Sequence, residues 1–533
     1  MVSLSRLAGQ MNLRIKGHGD PEILGITEDS REVKPGWVFV AVPGLKFDGR
    51  TFIGQAMDKG AAAVMLTGPD AELPVPRLLV GPEELRSVMA GAASIIYGRP
   101  SDRIILVGLT GTNGKTTTAY LLEAILNKAG LNPGVMGTVN FRWPGVEMTA
   151  PNTTPEGPVL SSCLDDMIKC GSKAAVLEVS SHALSLGRVA GLGFETALFT
   201  NLSRDHMDFH ADMEDYYQAK KLLFTKHLKP GEKKAVINID DGHGRRLAGE
   251  LESALTFGFS PEAEVRGQDL VMSRDGLTLT IVAPGETWVQ TSPLIAEING
   301  YNILAAAALS LAMRIEPRTI REALASAQGA PGRLERVGGN SDFLVLVDYA
   351  HTPDALAKAL KACRDLEPNR LLAVFGCGGD RDKGKRPVMG KIAGEMADLS
   401  VITSDNPRTE EPWSILIDVE AGLKDLSLSK YEDGELASDD WRSGAYLMMV
   451  DRRSAIREAV RLMEPGDVLL IAGKGHEDYQ IIGREKRHLD DREEALDILI
   501  KMGREQSSPG SAERHEHCRG VDGERPRRGM GRA

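Results

Sequence analysis

The sequence predicts an α/β protein of several domains, and three observations carry that expectation. Its 533 residues exceed what one core usually organises, since domains run to roughly 100–200 residues. Apolar runs of strand length alternate with helical stretches along most of the chain, the pattern of parallel sheets connected through helices. Glycine is abundant, at 57 residues, and aromatics are only 5%, which suits many strand-to-helix turns.

The elements follow in chain order. Within residues 1–98, positions 38–42 and 61–66 read as strands and 51–59 as a helix. Tyr97-Gly98-Arg99-Pro100-Ser101-Asp102 is dense in breakers and predicts a linker. A second unit, 99–329, opens on an apolar strand at 104–109, turns through glycines and enters a helix near 116–129. Strands at 174–178, 196–200 and 235–239, an amphipathic helix at 213–224 and a helix at 303–313 continue it, and a parallel sheet is expected. Gly329-Ala330-Pro331-Gly332 marks the next boundary. Strands at 344–348, 371–375, 399–403 and 468–472 then build a third α/β unit, 330–504. Each ends before a polar or glycine-rich turn, which is where ligands gather in open α/β sheets. Residues 505–533, almost without apolar side chains, are expected to form a disordered tail.

Composition narrows the function classes. A formal net charge of -11 argues against a general nucleic-acid binder, though local clusters can still hold phosphate. The five cysteines (Cys163, Cys170, Cys363, Cys377 and Cys518) show no zinc or redox spacing, and a sparse odd set suits a reducing compartment. No apolar run approaches the roughly 18 residues of a membrane helix, and the first residues lack a signal core, so a cytoplasmic protein without membrane insertion is expected.

The strongest chemical signal is Gly111-Thr112-Asn113-Gly114-Lys115-Thr116, between a strand and a helix. Glycines let backbone N–H groups close around phosphate oxygens, and the helix N-terminus adds a favourable dipole. Lys115 would meet the β- and γ-phosphates and the Thr116 hydroxyl would ligate Mg²⁺. The longer G-x-x-x-x-G-K-[ST] pattern is not met, because Leu109 stands at its first glycine. Asn127-Lys128-Ala129-Gly130 lacks the aspartate of a GTPase base reader. Glu178, at a strand's carboxyl end before Val179-Ser180-Ser181-His182, is a natural Mg²⁺ ligand. Residues 201–210, Asn-Leu-Ser-Arg-Asp-His-Met-Asp-Phe-His, also follow a strand and are dense in site-type side chains. By pattern alone Lys220 reads as a solvated helix lysine.

These motifs resemble those of the Mur ligase superfamily. So do Gly332-Arg333, Asp348-Tyr349-Ala350-His351-Thr352-Pro353, the run from Gly376 to Pro387 containing Gly378-Gly379-Asp380-Arg381, and Gly473-Lys474-Gly475-His476-Glu477. All occur in the family's order, and the resemblance extends over residues 27–483. It implies three domains: one for UDP, a central P-loop ATPase, and a Rossmann-like C-terminal domain for the incoming amino acid. The implied activity is ATP-dependent, ADP-forming ligation of meso-2,6-diaminopimelate to the D-glutamate γ-carboxylate of UDP-N-acetylmuramoyl-L-alanyl-D-glutamate, through an acyl phosphate, in peptidoglycan precursor synthesis. Partners would be these small molecules alone, with no nucleic acid, and the chain would act as a monomer.

Carried over by position, the resemblance assigns Glu28, Ser30, Leu45, Lys46 and Phe47 to the uridine end of the UDP substrate. Asn152, Thr153, Thr154, Ser180 and Arg188 would meet its sugar and peptide; Leu186 departs from relatives that carry glutamine there. ATP would contact Gly111, Thr112, Asn113, Gly114, Lys115, Thr116 and Thr117, with Asn302 near adenine and Arg333 and Asp348 reaching the nucleotide from the third domain. Thr116 and Glu178 would hold one Mg²⁺ and His206 a second. Lys220 matches a lysine carried as a carbamate, which turns a repelling ammonium into an anionic oxygen ligand. Lys115, Lys220 and His206 are thus the expected catalytic set. Arg381, Asp405, Asn406, Pro407, Arg408, Gly473 and Glu477 would bind diaminopimelate. Arg408 gives the physical reason: an arginine fork pairs the second carboxylate, and lysine would leave it facing a cation.

Two alternatives share the phosphate loop. A folylpolyglutamate synthetase of the same superfamily would lack the Asp405-Asn406-Pro407-Arg408 motif. A P-loop regulator that makes no bond would need no amine pocket.

Overall fold

The molecule was described from a computed structural model, covering residues 2–44, 48–68, 72–339, 342–432, 435 and 444–503. Leu45, Lys46 and Phe47, and the tail expected at 505–533, lie outside the described residues. The chain divides into two units, Met1–Ala330 and Pro331–Ala533.

Among the described residues the first unit holds two large sheets and a two-stranded one, Val2–Ser3 with Glu22–Ile23. The smaller of the large sheets has five strands in the order Arg14–Lys16, Arg77–Leu79, Ala63–Leu66, Trp37–Val40 and Gly25–Thr27. All neighbours are parallel except the first pair. β-Branched and large apolar side chains alternate across it, so Val38, Val40, Ala63 and Met65 pack on helices Leu4–Met11 and Leu85–Ile96, while Phe39 and Val64 face helix Ile53–Asp58. The segment expected as a linker begins where Leu85–Ile96 stops and contains a single 3-10 turn, Pro100–Asp102, entered through Arg99 at φ 52°.

The larger sheet has eleven strands. Its centre is parallel, in the order Gly134–Met136, Ala174–Glu178, Ile105–Thr110, Thr196–Phe199, Ala235–Asn238 and Leu255–Gly258. Antiparallel hairpins extend both edges, Asn140–Trp143 with Val146–Thr149 on one side and Val265–Ser273, Gly276–Ala283 and Glu286–Ser292 on the other. The expectation of a parallel sheet is therefore corrected to a mixed one: hairpins need only a tight turn such as Pro284-Gly285, whereas parallel neighbours need a crossover helix. Helices Lys115–Lys128, Glu297–Ala312 and Pro317–Leu324 bury one face, and Gly157–Lys169, Met213–Lys226 and Gly242–Glu250 the other.

The second unit is an open sheet of seven strands. The order is Glu335–Val337, Leu344–Asp348, Val468–Ala472, Leu371–Cys377, Leu399–Ser404, Ala445–Met449 and Ser429–Tyr431, and only Glu335–Val337 runs antiparallel. Apolar runs such as Val468-Leu469-Leu470-Ile471-Ala472 are buried on both faces, as parallel strands under helices must be. Helices Pro353–Arg364, Lys385–Met396 and Pro412–Glu420 cover one face, Arg452–Leu462 and Asp491–Lys501 the other. Three domains result, each an α/β layer structure.

Candidate active site

In the first unit, the carboxyl ends of Ile105–Thr110, Ala174–Glu178 and Thr196–Phe199 lie side by side. The phosphate loop leaves the central one. Gly111 has φ 140°, and a Cβ there would stand 1.9 Å from Thr200 Oγ1; Gly114 has φ 89°, and a Cβ there would stand 2.5 Å from Asn302 Oδ1. Only glycine fits at either position. Asn113 N donates to Asn201 Oδ1 at 3.0 Å, Thr200 Oγ1 donates to Asn113 O at 2.7 Å, and Thr112 Oγ1 lies 3.2 Å from Tyr216 Oη. Lys115 and Thr117 follow on the first turn of helix Lys115–Lys128. Asn302 lines a cavity of about 220 Å³ with Thr200, Asn201, Asp240 and Tyr301 beside the loop.

Two lysines converge on one carbonyl. Lys115 Nζ donates to Gly111 O at 2.8 Å and to Thr112 O at 3.0 Å, and Lys220 Nζ donates to Gly111 O at 2.9 Å. Lys220 is 1% exposed, with its Nζ 4.5 Å from the Tyr216 ring, which overturns the solvated-lysine expectation. Burial, and then the neighbouring Lys115 charge, hold its ammonium well below the ordinary 10.5, against Asp205. His206 has φ 55°, and its side chain is 44% exposed. Burial lowers its titration over the opposing Asp205, with Lys220 and Lys115 acting in the same sense. His182 stacks on Phe209 at 4.0 Å and meets His206 edge-on at 4.9 Å.

Glu178 is 1% exposed, and its carboxylate is held by oxygen and nitrogen donors. Thr116 Oγ1 donates at 2.9 Å, Thr138 N at 3.0 Å and Thr138 Oγ1 at 3.1 Å. Thr138 was not foreseen; its only signal was its place after Met136-Gly137, where a Cβ on Gly137 would stand 2.1 Å from Glu178 Oε1. Among the described residues no group of three or more His, Cys, Asp or Glu is placed to hold a metal, so the expected set depends on Thr116 and on a modified Lys220.

The predicted UDP-substrate residues join this cluster through a chain of contacts. Thr154 Oγ1 donates to Glu178 O at 2.8 Å and accepts from Ser180 N at 3.0 Å, and Thr153 Oγ1 lies 3.1 Å from Thr138 Oγ1. Arg188 Nη1 donates to Thr154 O at 2.9 Å, and Arg188 Nε pairs with Glu156 Oε1 at 2.8 Å. Arg86 pairs with Glu156 at 2.8 Å and stands 3.8 Å from Glu28. Burial and the nearby Glu156 raise the Glu28 carboxyl above its usual range, against Arg86 and Arg188. Arg86, on helix Leu85–Ile96, and Glu156, just before helix Gly157–Lys169, were missed, since single charges carry no signal of their own. Ser30 stands apart, donating to Gln55 Oε1 at 2.6 Å, and Asn152 is exposed.

In the second unit, Asp348 ends its strand, and its carboxylate accepts from Leu334 N and Ala350 N, both at 2.8 Å. Burial raises its carboxyl, while Arg333 and those two N–H groups pull it down. The Arg333 guanidinium sits over the Tyr349 ring at 4.9 Å. Tyr349 also contacts His351 at 4.6 Å and His476 at 5.2 Å. Burial, then Arg333 and Arg492, push His476 down to about 4.

A second cluster gathers most predicted amino-acid contacts. Asn406 Nδ2 donates to Glu477 Oε2 at 3.1 Å, and Asp405 and Glu477 flank the Lys474 ammonium. Burial raises the Glu477 carboxyl above its usual range, and Lys474 opposes that most strongly. Arg408, half-buried at φ 51°, donates from Nη1 to Gly379 O at 2.8 Å. Its loop is pinned to the hairpin Tyr479–Ile482 and Glu485–His488 by Arg408 N to Ile481 O at 3.0 Å and Gly483 N to Arg408 O at 2.7 Å. A Cβ on Gly379 would stand 1.9 Å from Pro407 O, and one on Gly378 would stand 3.0 Å from Arg408 Nη1 and 3.8 Å from Arg381 Cγ. Gly473, at φ 121°, has room around it: the first atom a Cβ would meet is Arg452 Nη2, 3.8 Å away. The Arg381 head itself is exposed.

Comparison with known proteins agrees with this arrangement. Residues 22–90 match the Mur ligase family catalytic domain, 109–310 the Mur ligase middle domain, and 332–475 the Mur ligase glutamate ligase domain. The UDP-N-acetylmuramoyl-L-alanyl-D-glutamate–2,6-diaminopimelate ligase of Geobacter metallireducens is 45% identical over 494 residues, 92% of this chain and 96% of its own. The ligase of the same name from Gloeobacter violaceus is 44% identical over 505 residues, 94% and 98% of the two chains. A solved structure of a ligase of that name is 33% identical with a TM-score of 0.66, covering 90% of this chain and 95% of its own. MurF from Thermotoga maritima, solved with ADP, shares the fold at 21% identity and a TM-score of 0.58, covering 90% and 97%. With domains of one family matched in succession and relatives aligned almost end to end, the chain belongs to the Mur ligase family.

Proposed function

We propose that the protein joins meso-2,6-diaminopimelate to the D-glutamate γ-carboxylate of UDP-N-acetylmuramoyl-L-alanyl-D-glutamate, with ATP converted to ADP and phosphate. A γ-carboxylate oxygen attacks the γ-phosphorus and ADP leaves, giving an acyl phosphate. The amine then attacks the acyl carbon, phosphate leaves, and the amine's proton passes to solvent or base. Carboxylate is a poor electrophile and phosphate a good leaving group, which is why ATP is consumed.

The observation that carries this reading is the continuous contact chain from Glu28 through Arg86, Glu156, Arg188 and Thr154 to Glu178 and Thr116. It runs from residues assigned to the uridine end to the lip of the phosphate loop, along the path a UDP-peptide would lie. Lys115 offsets charge on the transferring phosphoryl group, and the loop amides orient it. Asn302 and its cavity suit the adenine. Thr116 and Glu178 put two hard oxygen donors 2.9 Å apart, which fits Mg²⁺. With His206 and a carbamate on Lys220, these residues would hold the ion or ions, which supply further charge neutralisation. Burial disfavours the Lys220 ammonium, and the neutral amine is the form that adds to CO₂, losing a proton to become the anionic carbamate.

On the second unit, Arg333 and Asp348 are assigned to the nucleotide, and Arg381, Asp405, Asn406, Pro407, Arg408, Gly473 and Glu477 to diaminopimelate. The Arg408 fork answers the distal carboxylate and Glu477 an ammonium. The protein works as a cytoplasmic monomer on small molecules. The net charge of -11 supports the absence of nucleic acid, and among the described residues no helix is long and apolar enough to cross a membrane.

The test is phosphate release from ATP with the purified chain and the UDP-dipeptide. Stimulation by diaminopimelate is expected; stimulation by lysine instead would overturn the assignment.

A further inference from the structure

The motif Gly473-Lys474-Gly475-His476-Glu477 supplied two expected amino-acid contacts and left its lysine without a role. Lys474 is 0% exposed, although lysine is almost never fully buried unless paired. Its Nζ lies 3.3 Å from Asn406 Oδ1, 3.5 Å from Asp405 Oδ1 and 3.7 Å from Glu477 Oε2. Three residues assigned to the incoming amino acid thus surround one buried ammonium. Asn406 Oδ1 also accepts from Ile481 N at 2.9 Å, so two donors fix that amide with its Nδ2 toward Glu477.

The remaining charged or titratable neighbours come from every element around the cluster. His351 and Tyr349 follow strand Leu344–Asp348, Arg452 belongs to helix Arg452–Leu462, and Arg408 lies on the loop after Leu399–Ser404. Tyr479 opens the hairpin, its ring 5.7 Å from Lys474 Nζ. Among the described residues, Lys474 is the cation within ion-pair distance of both Asp405 and Glu477. Two carboxylates that share a partly buried site repel one another unless a cation stands between them. A fixed cation between them leaves one net negative charge, which balances one ammonium.

We propose that Lys474 is a positioning residue of the amino-acid subsite, whose buried side chain draws the Asp405 and Glu477 carboxylates to one point, offsets one of their two charges and leaves the subsite one net negative charge for a single substrate ammonium. The inference rests on the function proposed above and adds to it how the pocket's charge is set. Lys474 itself does not touch the reacting atoms.

The experiment uses the full chain, with phosphate release measured against diaminopimelate at several pH values for the unsubstituted protein, Lys474→Met and Lys474→Arg. In Lys474→Met the KM for diaminopimelate should rise about tenfold or more, the usual scale for losing a charge-assisted partner, with KM for ATP and for the UDP-dipeptide unchanged. The acid limb of kcat/KM for diaminopimelate should move up by about one pH unit or more, because the carboxylates lose the charge that favours their ionised form. Lys474→Arg should return the limb to its original position. A Lys474→Met protein that melts normally and keeps both KM and limb overturns the inference. If Lys474→Met does not fold, Lys474→Gln is read by the same criteria: a raised KM for diaminopimelate with a displaced limb supports the inference, and both left unchanged overturn it. An unsubstituted chain with no diaminopimelate-dependent turnover would instead sink the proposed function, so the two failures are distinguishable.

Discussion

Lys115 and Lys220 share the carbonyl of Gly111, and that arrangement makes their chemistry different although their residue type is the same. Lys115 opens a helix at the loop, within reach of phosphate, and Lys115→Met should lower kcat about 10²–10³-fold in phosphate release, the scale of one lost electrostatic donor. Burial, and then Lys115, disfavours the charged form of Lys220. Its folded-state titration lies well below its unfolded value, so between that lowered value and the ordinary 10.5 the unfolded chain binds the extra proton and stability rises with pH. In urea melts run at about pH 7 and about pH 9, the unmodified chain should therefore gain stability relative to Lys220→Met; equal gains would show Lys220 charged in the fold. Pattern alone could not reveal this, because helix Met213–Lys226 carries Lys220 and Lys221 in succession and only packing decides which one is buried. Arg408, by contrast, owes its assignment to the family resemblance of the Asp405-Asn406-Pro407-Arg408 motif, and in the fold its Nη1 donates to Gly379 O.

At the scale of elements, glycines and caps hold the loops that carry these groups. Gly332, at φ 64°, lies so close to the 473–477 loop that a Cβ would stand 2.1 Å from Gly475 C and 2.2 Å from His476 N. Gly332→Ala should cost about 1–3 kcal/mol, the usual price of overpacking, seen as a lowered urea midpoint. Asp212 caps helix Met213–Lys226 by accepting from Asp215 N at 2.8 Å, and Asp212→Ala should cost about 1 kcal/mol in the same assay. The parallel strands were readable as apolar runs bounded by turns, and 344–348 and 468–472 were found at their observed limits. The edge hairpins were not. Gly276–Ala283 alternates cleanly, with Leu277, Leu279, Ile281 and Ala283 inward, but reading for crossovers passed over a period-two signal. Ser429–Tyr431 offered Tyr431 as its single apolar side chain, since an edge strand can leave the others in water.

At the scale of the molecule, the groups assigned to ATP and the UDP-peptide lie mostly on the first unit, and those assigned to the amine lie on the second. Turnover should therefore require all three substrates, with phosphate release near background when diaminopimelate is omitted; steady release without it would contradict a shared reaction path. Domain number and order followed from length and motif sequence, while the network joining Glu28 to Glu178 was invisible, because Arg86 and Glu156 acquire meaning only once folded neighbours stand beside them. That network alternates in sign: Glu28, Arg86, Glu156, Arg188. Deleting one member strands its partners with surplus charge, whereas deleting adjacent opposites together restores neutrality. Inherited variation at these four positions should consequently arrive in compensating couples, an accounting rule that natural variants of the chain would either obey or break.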